Sequence, residues 1–147
     1  MDAERVAALE ARLEHRFRDR ALLERALVHA SYAHEHPPVL HQEGLAFVGD
    51  AALALVVAER LFADEPAAPV GRLTPRRAEL VSGVNLARWA VALDLGPLLR
   101  LGHGADLTGG RERESILATT LEAVLGAVYL EGGLAAVRRA VAVMAAW

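Results

Sequence analysis

The sequence contains no cysteine, which excludes a disulfide framework, a thiolate metal site and a cysteine nucleophile. Any bound metal must therefore take oxygen or imidazole ligands. Aromatic residues make up only 5% of the chain, whereas 54% of its residues are apolar. This composition is typical of a helical globular protein and argues against disorder. From the 147-residue length we expect a single domain spanning residues 1–147, and the lack of cysteine is compatible with a cytoplasmic location.

Lysine is absent as well, so all sixteen basic residues are arginine, and the formal net charge is -3. That balance argues against a uniformly basic nucleic-acid surface. The arginines are nevertheless grouped, and guanidinium groups bind phosphates bidentately. Each group is either a phosphate-binding patch or a solvated helix face. The groups comprise Arg16, Arg18 and Arg20, then Arg72, Arg76 and Arg77, and finally Arg111 and Arg113.

Long uninterrupted hydrophobic runs are also missing. The N-terminal segment is charged rather than signal-like, and acidic residues interrupt the apolar segments before they reach the roughly 18 residues that can span a bilayer. These residues are Asp50, Glu59, Glu122 and Glu131. We therefore expect no membrane insertion.

No segment alternates apolar and polar residues with period two, and no internal repeat occurs, so the pattern predicts an all-α fold. Helical spacing predicts a long helix from about residue 42 to residue 62. A second strongly apolar helix is predicted with Ser115 as its N-cap, stopped by Gly132 and Gly133, and a last helix follows these glycines.

Shorter helices are predicted around these two. One is predicted over ALLERALVHASY, ending before Pro37 and Pro38. Another is predicted with Thr74 as its N-cap and Pro75 at its first position, and the next with Asn85 as its N-cap. The glycine-rich segment LGHGADLTGGRERES is predicted as a loop.

Glu43 and Asp50 are two acids on the otherwise apolar segment QEGLAFVGDAALAL. Their spacing is about two helical turns, so both project from one face, with Ala46 and Phe47 between them. Glu122 lies on the second apolar helix. Burying an unpaired carboxylate costs on the order of several kcal/mol, so these acids need arginine partners, solvent in a cleft or a shared cation. Mg²⁺, which takes oxygen ligands, is the natural cation, and salt bridges are the alternative.

Other chemistry-bearing residues point to no second site. The serines have no recognisable base in sequence range, and Gly109-Gly110-Arg111 lacks the lysine and spacing of a phosphate-binding loop. A histidine group has no regular ligand spacing, so it does not favour zinc, and a packing role is expected for its first member. The group comprises His29, His34, His36 and His41.

Six sequence blocks resemble, in order and spacing, the nuclease domain of bacterial ribonuclease III: HASYAHE, QEGLAFVGDAAL, RLTPRRAELVS, LRLGHG, GGRERESILA and LEAVLGAVYLEGG. The resemblance covers about residues 9–140. It implies an all-helical endonuclease domain that dimerises, with Phe47 at the dimer interface. The apolar character of residues 45–57 on all sides also predicts a partner, because one helix face has little reason to be apolar unless it is covered.

The chain departs from the family pattern at the metal site. In the family, the second Glu and the Asp of the signature Asn-Glu-Arg-Leu-Glu-Phe-Leu-Gly-Asp, together with both acids of a later Asp-x-x-Glu, supply four acids to Mg²⁺. The resemblance makes Asp50 and Glu122 metal ligands, and Glu43, which matches the first Glu of the signature, is grouped with them as catalytic. Ala46 and Thr119 stand where the other two acids are expected, and Gly44 replaces the arginine.

Three hypotheses follow. The first is a homodimer that binds double-stranded RNA but cuts it poorly or not at all, because Mg²⁺, or Mn²⁺ in its place, is bound weakly or is absent. The second is an active Mg²⁺- or Mn²⁺-dependent endonuclease in RNA processing that uses Glu43, Asp50, Glu122 and the RNA itself. The third is a non-catalytic structural or assembly dimer.

RNA contacts are expected from arginines, because double-stranded RNA is recognised by its shape and its phosphates. The family also carries a separate double-stranded-RNA-binding domain, for which no room remains after Trp147. We therefore expect weak, strongly salt-dependent binding. The expected contacts are Arg76, Arg77, Arg111 and Arg113, together with the group at Arg16, Arg18 and Arg20.

Overall fold

The structure is a computed structural model that describes all 147 residues. It contains helices and no strand, and its only β-type pairing is an isolated bridge between Val28 and Arg100. The predicted all-α fold is therefore confirmed. The α-helices are α1 (Ala3–Leu13), α2 (Arg20–Ala26), α3 (Ala30–Glu35), α4 (Glu43–Asp64), α5 (Val70–Leu80), α6 (Gly83–Ala92), α7 (His103–Leu107) and α8 (Glu114–Ala145), with 3₁₀ helices at Gly96–Leu98 and Gly110–Glu112.

The core is organised around α8, which packs against α1, α2, α4 and α6. By length and composition α8 could cross a membrane, but 56% of its most apolar window is buried within the protein, as expected of a core helix. The backbone of α8 comes closest to that of α4 at Gly49 of α4 and Gly126 of α8. A methyl group on Gly49 would collide with the carbonyl of Glu122, and one on Gly126 with the carbonyl of Leu45. Glycine at both positions brings the two backbones together.

The predicted break at Gly132 and Gly133 lies inside α8. Gly133 has φ 68° and ψ −168°, a conformation that side-chain-bearing residues rarely adopt. The helix therefore changes direction there, and the predicted stop and following helix correspond to its two parts. The predicted start was wrong: α8 begins at Glu114, after Arg113, and Ser115 is not its N-cap.

Two other predicted helix starts were wrong. α5 begins at Val70, so Thr74 is not its cap, and Pro75 lies inside the helix. An interior proline leaves a carbonyl four residues earlier without its partner, but α5 has no buried residue, so water can reach that carbonyl. α6 begins at Gly83 because the hydroxyl of Ser82 accepts a hydrogen bond from Asn85 N, at 3.2 Å.

The segment predicted as one helix over ALLERALVHASY forms two, α2 and α3. Backbone hydrogen bonds to a distant segment separate them: Arg100 N donates to Leu27 O (2.9 Å) and His29 N donates to Arg100 O (3.0 Å). His29 Nδ1 then accepts a hydrogen bond from Ser31 N (3.1 Å) and caps α3. The glycine-rich segment that was predicted as a loop contains α7 and the second 3₁₀ helix.

Candidate metal centre and RNA interface

Asp50 and Glu122 meet where α4 crosses α8. Asp50 is exposed and Glu122 is partly buried. Burial raises the pKa of Glu122 to about 7, assisted by a hydrogen bond to Asp50 and by the negative charge of Asp50. Neither carboxylate forms an ion pair with an arginine or histidine. The two acids therefore form a pair whose negative charge no cationic side chain compensates.

Glu43 lies about two helical turns before Asp50 on α4 and has a different neighbour. Its carboxylate is 3.7 Å from His41 Nδ1, and its backbone N–H donates to the same nitrogen at 3.2 Å. No group of three or more acids and histidines in the structure could hold a metal ion. Of the three predicted acids, the structure thus brings together Asp50 and Glu122 and leaves Glu43 apart from them at the start of the helix.

The paired carboxylates fit a hydrated divalent cation. Mg²⁺ commonly keeps several waters and binds one or two carboxylates together with substrate phosphates. Asp50 and Glu122 offer carboxylate oxygens as ligands, and the exposed Asp50 leaves the pair open to solvent on one side. Their negative charges repel each other when both acids are ionised, and a bound cation would offset this repulsion. The same two residues do not form a complete cage on their own, so solvent or a ligand must complete the coordination.

Some of the histidine and arginine side chains singled out in the sequence form hydrogen bonds within the chain, and others are exposed. His29 was expected to pack, whereas in the structure it is partly buried and caps α3, and burial lowers its pKa. Arg111 donates to Asp106 Oδ1 (3.0 Å), Gly96 O (3.1 Å) and Leu99 O (2.6 Å), so its guanidinium holds the chain around the 3₁₀ helices. Arg113 donates to Thr108 O at 3.1 Å.

Arg76 and Arg77 are exposed on α5 and form no ion pair. Arg16 and Arg20 are also exposed, whereas Arg18 donates to Glu131 O at 2.7 Å. Of the predicted RNA contacts, Arg76 and Arg77 on α5 and Arg16 and Arg20 near α2 have guanidinium groups that are not already used within the chain.

The family described as Ribonuclease-III-like matches residues 19–145. The chain belongs to the ribonuclease-III-like family. Ribonuclease 3 of Caldanaerobacter subterraneus subsp. tengcongensis is 46% identical over 134 residues, covering 90% of this chain and 59% of that relative. Ribonuclease 3 of Natranaerobius thermophilus is 53% identical over 114 residues, covering 77% of this chain and 50% of the relative. The chain therefore spans a little over half the length of the curated relatives that it matches.

The fold comparison agrees with the sequence comparison. The nuclease domain of ribonuclease III from Campylobacter jejuni superposes with a TM-score of 0.87 at 36% identity, covering 95% of both chains. That structure concerns flexibility in a region involved in dimer formation of the Campylobacter protein. The predicted ribonuclease III nuclease-domain fold is confirmed by this likeness.

By the resemblance, Ala46 and Thr119 stand where two further acids are expected, and they lie about one helical turn before Asp50 on α4 and Glu122 on α8. Ala46 is buried, with 8% of its surface exposed, and Thr119 is partly exposed. Neither side chain carries a charge. At Gly44, Arg25 Nη2 lies 3.1 Å from the position that a Cβ would take, so a guanidinium from α2 lies beside the position at which the resemblance expects an arginine.

An exposed apolar stripe runs along α4 on the side away from the core. Phe47 is 82% exposed, Leu55 47% and Phe62 59%, and their spacing places them on one face. This apolar face of α4 is exposed to solvent within a single chain, so the partner that was expected to cover it stays a prediction.

Gln42 and Thr120 were missed by sequence reasoning. They are the two fully buried polar side chains of the protein, each with 0% exposure. Gln42 Nε2 donates to Ala26 O (2.8 Å) and to Thr120 Oγ1 (3.2 Å). The signal in the sequence was their position, since Gln42 directly precedes α4 and Thr120 lies two residues before Glu122.

Proposed function

We propose that this ribonuclease III-type nuclease domain binds double-stranded RNA as a homodimer and cleaves it slowly or not at all in Mg²⁺. One observation carries the proposal: two carboxylates, Asp50 and Glu122, come together where the family pattern has four acids. Ala46 and Thr119 leave the other two positions neutral.

Asp50 and Glu122 are the residues that would hold a divalent cation. Such an ion, when bound, supplies an activated water and stabilises charge on the attacking and leaving oxygens in phosphodiester hydrolysis. Because burial and the neighbouring Asp50 raise the pKa of Glu122 to about 7, a proton competes with a cation for this carboxylate at neutral pH. The cation must displace that proton, and Thr119 offers only a neutral hydroxyl, so weak binding is expected.

RNA binding in this proposal depends on arginines rather than on sequence readout. Arg76 and Arg77 are exposed on α5, which has no buried residue, so phosphate binding requires no rearrangement of the fold. Double-stranded RNA is bound largely through phosphates and 2′-hydroxyls, and phosphate binding weakens as the salt concentration rises because the release of counterions becomes less favourable. A net charge of -3 makes the interaction weaker still.

Dimerisation is supported by the stripe on α4. A solvent-facing row that includes Phe47 and Phe62 is unusual for a monomeric protein. The same surface of a second copy would cover it through a two-fold, self-complementary interface.

Active cleavage is the second candidate, and the acid pair itself favours it. Mg²⁺ needs few protein carboxylates when substrate phosphates complete its coordination, so Asp50, Glu122 and RNA could suffice. Glu43 contributes under this candidate from the start of α4, on the same face as Asp50.

The deciding experiment incubates the protein with a long RNA duplex at low salt, with Mg²⁺, with Mn²⁺ or with a chelator, and examines both mobility shift and cleavage. A salt-sensitive shift without cleavage supports the proposal. Cleavage that Glu122→Gln abolishes supports the active endonuclease. No RNA affinity at low salt would contradict both and leave an assembly dimer.

A further inference from the structure

We propose that the buried Gln42–Thr120 hydrogen bond is a positioning element that sets how Asp50 and Glu122 face each other. This inference rests on the proposed function in one respect, since the separation of the two acids matters chemically only if they hold a cation. The bond itself joins the entry of α4 to α8, the two helices that carry the acids.

The backbones of α4 and α8 come closest at Gly49 and Gly126, where no side chain fits between them. We call this close approach the pivot. The packing on either side of it is apolar, and apolar contacts are less directional than hydrogen bonds in selecting one angle between the helices. Asp50 lies directly beside this pivot, and Glu122 contributes its carbonyl to it.

The Gln42–Thr120 bond supplies a second point of attachment away from the pivot. Gln42 lies seven residues before Gly49 in the sequence, at the entry to α4. Its backbone N–H donates to Val28 O at 2.9 Å, and its amide donates to Ala26 O at 2.8 Å. The entry to α4 is thereby held to α2 and to the segment that follows it, and the bond to Thr120 then ties this assembly to α8.

Thr120 is held in turn by its own helix. Its hydroxyl donates to Ile116 O at 2.7 Å, which orients the oxygen toward Gln42. No buried side-chain nitrogen or oxygen lacks a partner. A fully satisfied polar contact in an apolar core is directional, so it selects one arrangement of the helices where apolar packing alone would tolerate several.

Stability alone does not explain the pair. Replacing both partners of a buried hydrogen bond by apolar groups of the same shape is often nearly neutral, so an apolar pair would fill this space as well. What an apolar pair lacks is direction. The geometry points to a requirement for one particular orientation of α4 on α8. That orientation sets how Asp50 and Glu122 face each other beside the crossing.

The test uses the absence of native cysteine. Asp50→Cys with Glu122→Cys places two thiols at the acid positions. Dibromobimane is a short cross-linking reagent that becomes fluorescent when both of its ends react. Its rate of cross-linking reports how often the two thiols lie close enough to be bridged. In this background Gln42→Met and Thr120→Val each remove the bridge with little change of shape. Thr120→Ser keeps the hydroxyl, and Val6→Ala in α1 is the control for loss of stability elsewhere in the core.

We expect Gln42→Met and Thr120→Val each to slow cross-linking by about fivefold or more, because reactions between held groups are sensitive to small misplacements. The two together should slow it no further than Gln42→Met alone, because that variant already removes the bonds to Thr120 and to Ala26 O. Thr120→Ser should cross-link at the parent rate, and so should Val6→Ala even if it melts at the same temperature as Gln42→Met. Parent rates in Gln42→Met, equal slowing by Val6→Ala, or no cross-linking in the parent would each overturn the positioning role.

A second measurement separates this inference from the proposed function. Mn²⁺ binding to the chain with both acids intact is followed by electron paramagnetic resonance, with and without Gln42→Met. Weaker Mn²⁺ binding in Gln42→Met at unchanged folding supports the positioning role at the cation site. If the parent binds no Mn²⁺ while cross-linking still depends on the bridge, the proposed cation site fails and the positioning role stands.

Discussion

Asp50 and Glu122 face each other across the α4–α8 crossing, and burial together with the neighbouring Asp50 raises the pKa of Glu122 to about 7. Two acids held together without a cationic side chain oppose folding once both are ionised. The arrangement is therefore unfavourable to stability and suited to a positively charged ligand. Its consequences can be measured with and without such a ligand.

The contribution of Glu122 to the stability of the protein should fall as pH rises. The pKa of Glu122 is raised in the folded state from an ordinary value of 4.5 to about 7, so between these values the folded state binds more protons than the unfolded state. The contribution of Glu122 is most favourable below about pH 4.5 and is lost as pH passes 7. Glu122→Gln should accordingly raise Tm at pH 8 relative to the parent and give no gain at pH 4.5.

The matched control for this prediction is Glu43→Gln, which removes an exposed acid from the same face of α4. It should leave the pH dependence of Tm unchanged. Equal gains in Tm at pH 4.5 and pH 8 for Glu122→Gln would show that burial of a charge is not the cause.

Divalent cations should offset the loss of stability that ionisation of Glu122 beside Asp50 causes at pH 8. A ligand that binds only the folded state raises Tm by an amount that grows with the ratio of its concentration to its Kd, and Mn²⁺ or Mg²⁺ would compensate the ionised pair. We expect millimolar Mn²⁺ to raise the Tm of the parent and to have no effect on Asp50→Asn with Glu122→Gln. A shift that persists in this double variant would place the bound cation elsewhere.

Phe47 should be required for dimerisation. Its side chain is 82% exposed in the single chain, and an aspartate there would bring charge into an apolar interface. Phe47→Asp should sediment as a monomer at micromolar concentration where the parent sediments as a dimer. Leu107→Asp, at a residue that is 73% exposed on α7, is the control and should remain dimeric. A parent that is already monomeric contradicts the assignment of the stripe.

RNA affinity should depend on the exposed arginines of α5. Arg76→Ala with Arg77→Ala should weaken binding of an RNA duplex and reduce the slope of log affinity against log salt by about 1 for each phosphate that is no longer bound. Arg111→Ala should instead lower Tm, because it removes the hydrogen bonds to Asp106, Gly96 O and Leu99 O. If the slope of log affinity against log salt is unchanged in the α5 variant, RNA phosphates are bound elsewhere than at this helix.

The sequence was informative where apolar periodicity was strong. It predicted α4 and α8, and the resemblance placed Asp50 and Glu122 in one site, which the structure brings together. Helix starts were less predictable, because Pro75 looks like a first-turn residue although α5 begins at Val70. The surface position of that helix, which sequence does not reveal, makes the interior proline tolerable.

The arrangement around the acids was less accessible to sequence reasoning. The Gln42–Thr120 bond joins residues 78 positions apart, and nothing in either local pattern marks them as partners. Arg111 shows the opposite difficulty, since a grouped arginine looks like a phosphate contact until its hydrogen bonds within the chain are known. Long-range polar contacts depend on the tertiary structure that they help to specify.

Placing acids at positions 46 and 119 tests the proposed function most directly. The protein and its double variant Ala46→Glu with Thr119→Asp are incubated with a long RNA duplex in Mg²⁺ and in Mn²⁺, after circular dichroism has shown that both are folded, because Ala46 is buried. The account predicts that the double variant cuts in Mg²⁺ orders of magnitude faster than the protein, since four acids then hold the cation. Efficient Mg²⁺-dependent cleavage by the unaltered protein, or a folded double variant that remains inactive, would contradict it.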